Sequence, residues 1–440
     1  MLPKALYSRS VNNTNYSFDA VRISKIFKKV GAFVAKNAIV GQSGGPTSVI
    51  NSSLAGVFQA CQTFGADHVY GMCNGIEGLF DKKIVDLSRT LCSSLEIELL
   101  KRTPSSYLGS CRYKLPDMNV NSEPYEKLFR IFKELEIEWF FYIGGNDSMD
   151  TICKLSDYAK VVGSDIKFMG IPKTIDNDLM ITDHTPGFGS AAKYIGVVTK
   201  EIVRDSTIYD LNCVTFVEIM GRDAGWLTAA SALARSEDCE GVDFICLPEL
   251  TFDVEKFIEK VAKKQKYKKS IVVAVSEGVK LADGRYVCEL ANSDVKSDVF
   301  GHKNLTGTAQ YLSSRVGAEL GVKVRAIELN TLQRCAGHVT SRTDITEAYQ
   351  AGGAAARAAF NGHTGEMIAF KRISSEPYQI TTEPHDIHEV ANLEKKVPIE
   401  WINDEWTDMM PDFHRYARPL IQGELTPMYI DGLPRHIYLK

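Results

Sequence analysis

Lys167-Phe168-Met169-Gly170-Ile171-Pro172, followed at once by Lys173-Thr174-Ile175-Asp176-Asn177-Asp178, is the stretch on which the fold turns. The first six residues have the length and apolar character of a buried strand, and polar residues take over immediately after the proline. The same change occurs twice more. Ala38-Ile39-Val40 breaks at Gly41-Gln42-Ser43-Gly44-Gly45-Pro46, with a helix expected to open near Thr47, and Trp139-Phe140-Phe141-Tyr142-Ile143 breaks at Gly144-Gly145-Asn146-Asp147-Ser148. Buried strand, polar loop and helix in repetition predict a parallel sheet covered on both faces. Ligands of such sheets sit at the carboxyl ends of the strands, so the three loops are expected to border one cleft.

Working outward, the pattern recurs. Val214 to Ile219, Phe244 to Glu249, Ile271 to Val275 and Lys323 to Leu329 read as further strands, and Ala351 to Ala359 as a helix before a strand at Glu366 to Lys371. The fold class expected is α/β, with two similar Rossmann-like three-layer α/β/α domains at 37–184 and 185–372. An N-terminal extension, 1–36, and a C-terminal extension, 373–440, complete the chain. The second extension reads as irregular from Ser374, but Trp401, Trp406, Phe413 and Tyr416 call for cover by the body. The first extension is acid-poor, like a transit peptide. Ile23, Ile26, Phe27, Val30 and Phe33 nevertheless recur at helical spacing, and docking onto the body is the reading preferred.

Composition narrows the function classes. At 440 residues, with 44% apolar and 24% charged residues, the chain is an ordinary globular one too long for a single core. A formal net charge of −4 offers no field for nucleic acid or an anionic membrane, and no apolar run is long enough to span a bilayer. Ten cysteines, none in a Cys-x-x-Cys pair, fit a reduced, cytoplasmic protein.

The loop at 173–178 is the most informative for chemistry. One of its carboxylates is placed to take a proton from a hydroxyl nucleophile, a second to help hold Mg2+, and Lys173 to neutralise charge on a transferring phosphoryl group. The plainer alternative is an Asx-rich turn with helix caps. Gly44-Gly45 and Gly144-Gly145 let backbone approach an anion, while Asn146 and Asp147 offer oxygens to a metal or cap a helix. Arg112, Arg222, Arg325 and Arg334 supply guanidinium groups suited to gripping phosphate.

Ser43-Gly44-Gly45, Leu108-Gly109-Ser110-Cys111-Arg112, Gly144 to Ser148, Pro172 to Asp178, Met220-Gly221-Arg222-Asp223-Ala224-Gly225 and Gln333-Arg334 occur in an order that resembles the phosphofructokinase family over about 37–370. The resemblance implies a phosphoryl donor bound by 37–184, fructose 6-phosphate bound by 185–372, and the active site between them. It makes Asp176 the base for the sugar 1-hydroxyl and Thr174, with Ile175 beside it, a contact to the sugar and the transferring group. Gly45 and Arg112 would hold the donor. Met220, Gly221, Arg222 and Glu277 would contact the sugar phosphate, and Arg325 and Arg334 would clamp its 6-phosphate. Asn146, Asp147 and Asp178 would hold Mg2+. Family members are usually dimers or tetramers, so a homo-oligomer is expected.

Asp147 and Lys173 replace glycines common in the ATP-using members, a change that resembles the pyrophosphate-using branch. A carboxylate at 147 would repel and crowd the phosphates of a nucleotide, and an ammonium at 173 would contact a bare pyrophosphate. The expected reaction is therefore reversible transfer from pyrophosphate to fructose 6-phosphate. An ATP-dependent phosphofructokinase and a non-catalytic sugar-phosphate-binding subunit are the alternatives. Three positions depart from the pattern. Asn146 replaces the usual metal-binding aspartate, Thr331 stands where ATP-type enzymes often have a substrate-facing histidine and is carried over as a substrate contact, and Cys213 stands in place of a subunit-crossing arginine. Elsewhere, His385-Asp386-Ile387-His388 has metal-like spacing but no third ligand nearby in sequence. Thr185 to Ser190 reads as a helix entry, and the lysine-rich run 263–269 as a solvated helix end.

Overall fold

The computed structural model describes residues 36–290, 305–403 and 405–439; the amphipathic stretch between Ile23 and Phe33 lies outside them. The first strands are β1 (Asn37–Gln42), β2 (Val69–Met72), β3 (Ile84–Asp86), β4 (Ile137–Gly144) and β5 (Lys167–Pro172). They are followed by β6 (Cys213–Ile219), β7 (Phe244–Cys246), β8 (Ser270–Ser276), β9 (Lys323–Glu328), β10 (Glu366–Ser375) and β11 (Tyr378–Asp386). The helices that matter for the site are α1 (Ile50–Phe64), α2 (Asn146–Val162), α3 (Phe188–Ser206), α4 (Thr308–Leu320) and α5 (Arg342–Phe360). Helix α1 opens at Ile50 rather than at Thr47, whose hydroxyl stays in the loop and accepts a hydrogen bond from the Val49 amide.

A seven-stranded sheet has the order β11-β10-β5-β4-β1-β2-β3, and a four-stranded sheet the order β7-β8-β6-β9. The inner pairings are parallel, with antiparallel neighbours only at β3 and β11. Burial on both faces explains the unbroken apolar text. Every residue of β1 and of β8 is buried, and each large aliphatic side chain among them contributes about 1.5–3 kcal/mol.

The chain returns to the first sheet earlier than a boundary at 372 implies. Strand β10 pairs with β5, Glu366 opposite Met169 and Met367 opposite Gly170. Helix α5 lies across α1 so closely that a Cβ on Gly56 would come 2.1 Å from the Tyr349 carbonyl, and one on Gly352 would come 2.1 Å from that of Ser53. The edge of β5 left open by residues 37–184 needs a partner for its backbone groups, and β10 supplies it. The buried run Met367 to Phe370 reads alike in either sheet, so its text does not say which sheet takes it.

Beyond Ser374 the expected irregular tail is instead the end of β10 and a long hairpin partner, β11, with Ser375 opposite Tyr378. The half-exposed residues of that edge strand carry too weak an alternation to announce it. The tail aromatics do find cover. Phe413 is fully buried, and Trp401 and Tyr416 pack around Trp226 with ring centroids 6.1 and 5.3 Å away.

Candidate active site

The loops after β1, β4 and β5 meet, as the strand-end pattern implies, and together with loops of the second sheet they line a cleft of about 600 Å³. Each is held by local backbone constraints. The Lys173 amide donates to the Gly144 carbonyl (3.0 Å) and the Ser43 amide to the Ile143 carbonyl (3.0 Å), which holds the three strand ends side by side. After Lys173 the chain turns sharply. Asn177 takes a left-handed conformation (φ 55°), and its side-chain carbonyl accepts from the Thr185 amide at 3.0 Å. The Thr174 hydroxyl accepts from the Asp176 amide at 3.1 Å, a hydroxyl-type turn within the loop. The same turn directs Thr174, Ile175, Asp176 and Asp178 to the cleft.

Lys173 is 3% exposed, and its ammonium donates to the Gly45 carbonyl at 2.5 Å. Burial lowers its pKa to about 8, although Asp176 and Asp178 pull the other way. Burial raises the Asp176 carboxyl, opposed by Lys173 and Arg222, and raises Asp178 to about 7 with help from the Asp176 charge. Glu277, raised by burial to about 8, accepts from the Gly221 amide at 3.3 Å.

From the first sheet Gly45, Arg112, Asn146 and Asp147 line the cleft; from the second come Met220, Arg222, Glu277 and Arg334. Gly45 lies against Arg334, because a Cβ there would stand 3.2 Å from its guanidinium. The two sheets therefore meet at these residues. Gly221 supports the cleft through Glu277 rather than lining it.

Two expected contacts lie elsewhere. Arg325 is exposed on β9, pairs with Asp205 at 3.0 Å, and borders a separate small hollow that also contains Cys213. Thr331 is exposed in the turn after β9 and is not in the cleft wall. Both lie near Arg334 in sequence, but β9 and the short helix after it send only Arg334 inward.

Six carboxylates (Asp147, Asp176, Asp178, Asp223, Glu277, Glu394) face five bases (Arg112, Lys114, Lys173, Arg222, Arg334), so the cleft is not a simple trap for anions. The buried Oδ1 atoms of Asn146 and Asp178 have no hydrogen-bond partner. Two hard oxygens left unpaired beside an excess of carboxylates suit a magnesium-like cation, and the residues present fit one.

Sequence reading missed Lys114, Asn392, Leu393 and Glu394 in the wall. No motif marks the last three, which reach the site only through the path of the tail. His388 meets further potential ligands: its Nε2 lies 3.0 Å from Asp157 Oδ2, with Cys153 close by and Asp386 at 2.7 Å from Nδ1. The Thr185 to Ser190 stretch is a helix entry. Asp344 accepts from the Gly187 and Ser190 amides at 2.9 and 2.8 Å and so occupies the start of α3. The lysine run ends the helix Val254–Gln265 just before β8.

Strand-end loops of two parallel sheets that place bases around a buried carboxylate form the arrangement of a phosphoryl-transfer enzyme. Residues 37–358 match the family described as phosphofructokinase, and the chain belongs to that family. A protein of Methylococcus capsulatus named pyrophosphate–fructose 6-phosphate 1-phosphotransferase is 41% identical over 409 residues, covering 92% of this chain and 96% of its own length. One of the same name from Halomonas elongata is 39% identical over 403 residues, covering 91% and 95%. The crystal structure of a pyrophosphate-dependent phosphofructokinase from Nitrosospira multiformis superposes with a TM-score of 0.83 at 40% identity, covering 92% of this chain and 97% of that one.

Proposed function

We propose that this chain transfers a phosphoryl group reversibly between pyrophosphate and the 1-hydroxyl of fructose 6-phosphate. The observation that carries the donor assignment is the buried Lys173 ammonium, fixed on the Gly45 carbonyl, with Asp147 in the first turn of α2 lining the same pocket. Pyrophosphate fits between a fixed cation and the helix amides, whereas a nucleotide chain continuing past Asp147 meets a like charge.

In the forward direction Asp176 accepts the proton of the sugar 1-hydroxyl as that oxygen attacks the terminal phosphorus. The bond to the bridging oxygen breaks, and inorganic phosphate leaves. Lys173 and Arg112 stabilise the charge that builds on the phosphates, and Thr174 orients the transferring group. Met220, Arg222 and Glu277 hold the sugar phosphate, and Arg334 joins the two halves at Gly45. Asn146, Asp147 and Asp178 would hold Mg2+, which when bound neutralises phosphate charge.

Arg325 lies outside its own chain's cleft, so a role in clamping the 6-phosphate requires a second copy; a cytoplasmic homo-oligomer is the state proposed. No helix among the described residues is long and apolar enough to cross a membrane.

Turnover at saturating fructose 6-phosphate with pyrophosphate and with ATP tests the donor: activity with ATP alone would overturn it. Asp147→Gly is expected to weaken use of pyrophosphate and to lower the inhibition constant for ATP, measured by competition. The pH dependence is a second expected result. Protonation of Asp176, whose carboxyl burial raises above the usual carboxylate range, disables the base on the acid side, and loss of the Lys173 proton removes the ammonium as pH rises through about 8. A plot of kcat/KM should be a bell between these limbs, and Lys173→Arg, which stays charged, should lose the alkaline one.

A further inference from the structure

We propose that the tail segment Asn392–Lys395 is the outer wall of the donor pocket and excludes the nucleoside of a nucleotide donor. The proposal rests on pyrophosphate being the donor, and it adds a determinant that lies beyond the family match of 37–358.

The wall is built along α2. After β11 the chain runs back over this helix toward its first turn. His388 Nε2 lies 3.0 Å from Asp157, and the Asn392 side-chain amide donates to Asp150 Oδ1 at 3.2 Å. Those two anchors are two helical turns apart, roughly 10 Å of axis. The next residues, Leu393 and Glu394, reach the cleft together with Asn146 and Asp147, which open the helix. Asn392 has φ 64°, a left-handed turn that an asparagine adopts readily, and it marks where the segment leaves the helix for the pocket.

The far end is fixed more firmly. The Lys395 amide donates to the Asp178 carbonyl at 2.7 Å. Its ammonium donates to the carbonyls of Thr182 and Asp183 at 3.0 and 2.8 Å, and its own carbonyl accepts from Trp226 Nε1 at 2.9 Å. Two residues on, the Val397 amide donates to Glu249 at 3.0 Å. The segment is thus pinned to α2, to the loop that carries Asp176 and to elements of the second sheet.

A donor must place its transferring phosphorus near Asp176 and extend outward over Gly45 to Asn146 and Asp147. Pyrophosphate ends there. A nucleoside attached to further phosphate has to continue over the first turns of α2, where Leu393 offers bulk and Glu394 a like charge.

The test uses the full chain carrying Leu393→Gly and Glu394→Gly, with both anchors retained. The inhibition constant of ATP against pyrophosphate is compared with the KM for pyrophosphate, and binding of adenosine 5′-(β,γ-imido)triphosphate is titrated directly. The ratio of nucleotide constant to pyrophosphate KM should fall at least tenfold, with tighter binding of the analogue. An unchanged ratio at an unchanged Tm overturns the proposal, and so does a change that weakens pyrophosphate without strengthening nucleotide. If the double variant does not fold, Leu393→Ala is judged by the same ratio. Turnover of the parent with ATP and not pyrophosphate would sink the donor reading itself, a result distinct from an unchanged ratio in an enzyme that uses pyrophosphate.

Discussion

Asp176→Ala is expected to lower kcat about 10²–10⁴-fold, the range for a lost general base, with little change in the KM for fructose 6-phosphate. The effect follows from where the carboxylate sits. Its backbone amide is tied to the Thr174 hydroxyl, the loop behind it is buttressed by the Asn177 to Thr185 bond, and burial raises its basicity toward the working pH. No carboxylate on the same loop replaces it directly, because Asp178 has its backbone carbonyl held by Lys395 and its unpaired Oδ1 is the atom suited to a cation. Steady-state kinetics in both directions make the check, since one base serves forward and reverse transfer. A variant retaining more than a tenth of parent turnover would show that the proton goes elsewhere.

Lys173→Met should reduce kcat/KM for pyrophosphate about 10²–10³-fold, comparable to removing a single preorganised donor from a site where charge develops. Methionine keeps most of the stem volume, so the loss reports the ammonium and not the packing. The parent ammonium is already desolvated and fixed on the Gly45 carbonyl, which means its attraction to phosphate costs no reorganisation during the reaction. The KM for fructose 6-phosphate should change less than that for pyrophosphate, because Met220, Arg222 and Glu277 approach from the second sheet. A lowered Tm with equal rises in the KM for both substrates would place Lys173 in the fold rather than at the donor.

Much of this architecture was legible because burial on both faces leaves a parallel strand with little choice of residue. Val214 to Ile219 and Ile271 to Val275 read as strands for that reason, and both are. The three strand-end loops were legible as one cleft because carboxyl ends of parallel strands share an edge of the sheet. Strand β11 was not, since an edge strand with half-exposed residues has neither an unbroken apolar run nor a clean alternation. Arg325 and Thr331 were placed with the substrate by resemblance, but Arg325 projects according to the register of β9, visible only once that strand is paired with β6, and Thr331 lies in the short helix after it.

What the amino-acid text determined by itself was local chemistry: which segments are buried strands, and that a carboxylate-rich loop with a lysine follows one of them. What only the tertiary structure decided was long-range company. Strand β10 crosses back to pair with β5, and Asn392 to Lys395 come to lie against a helix that begins some 250 residues earlier in the chain. Periodicity records the face a residue buries, because each element must bury an apolar side by itself. It does not record which distant element covers that side, a choice set by the packing of the whole chain.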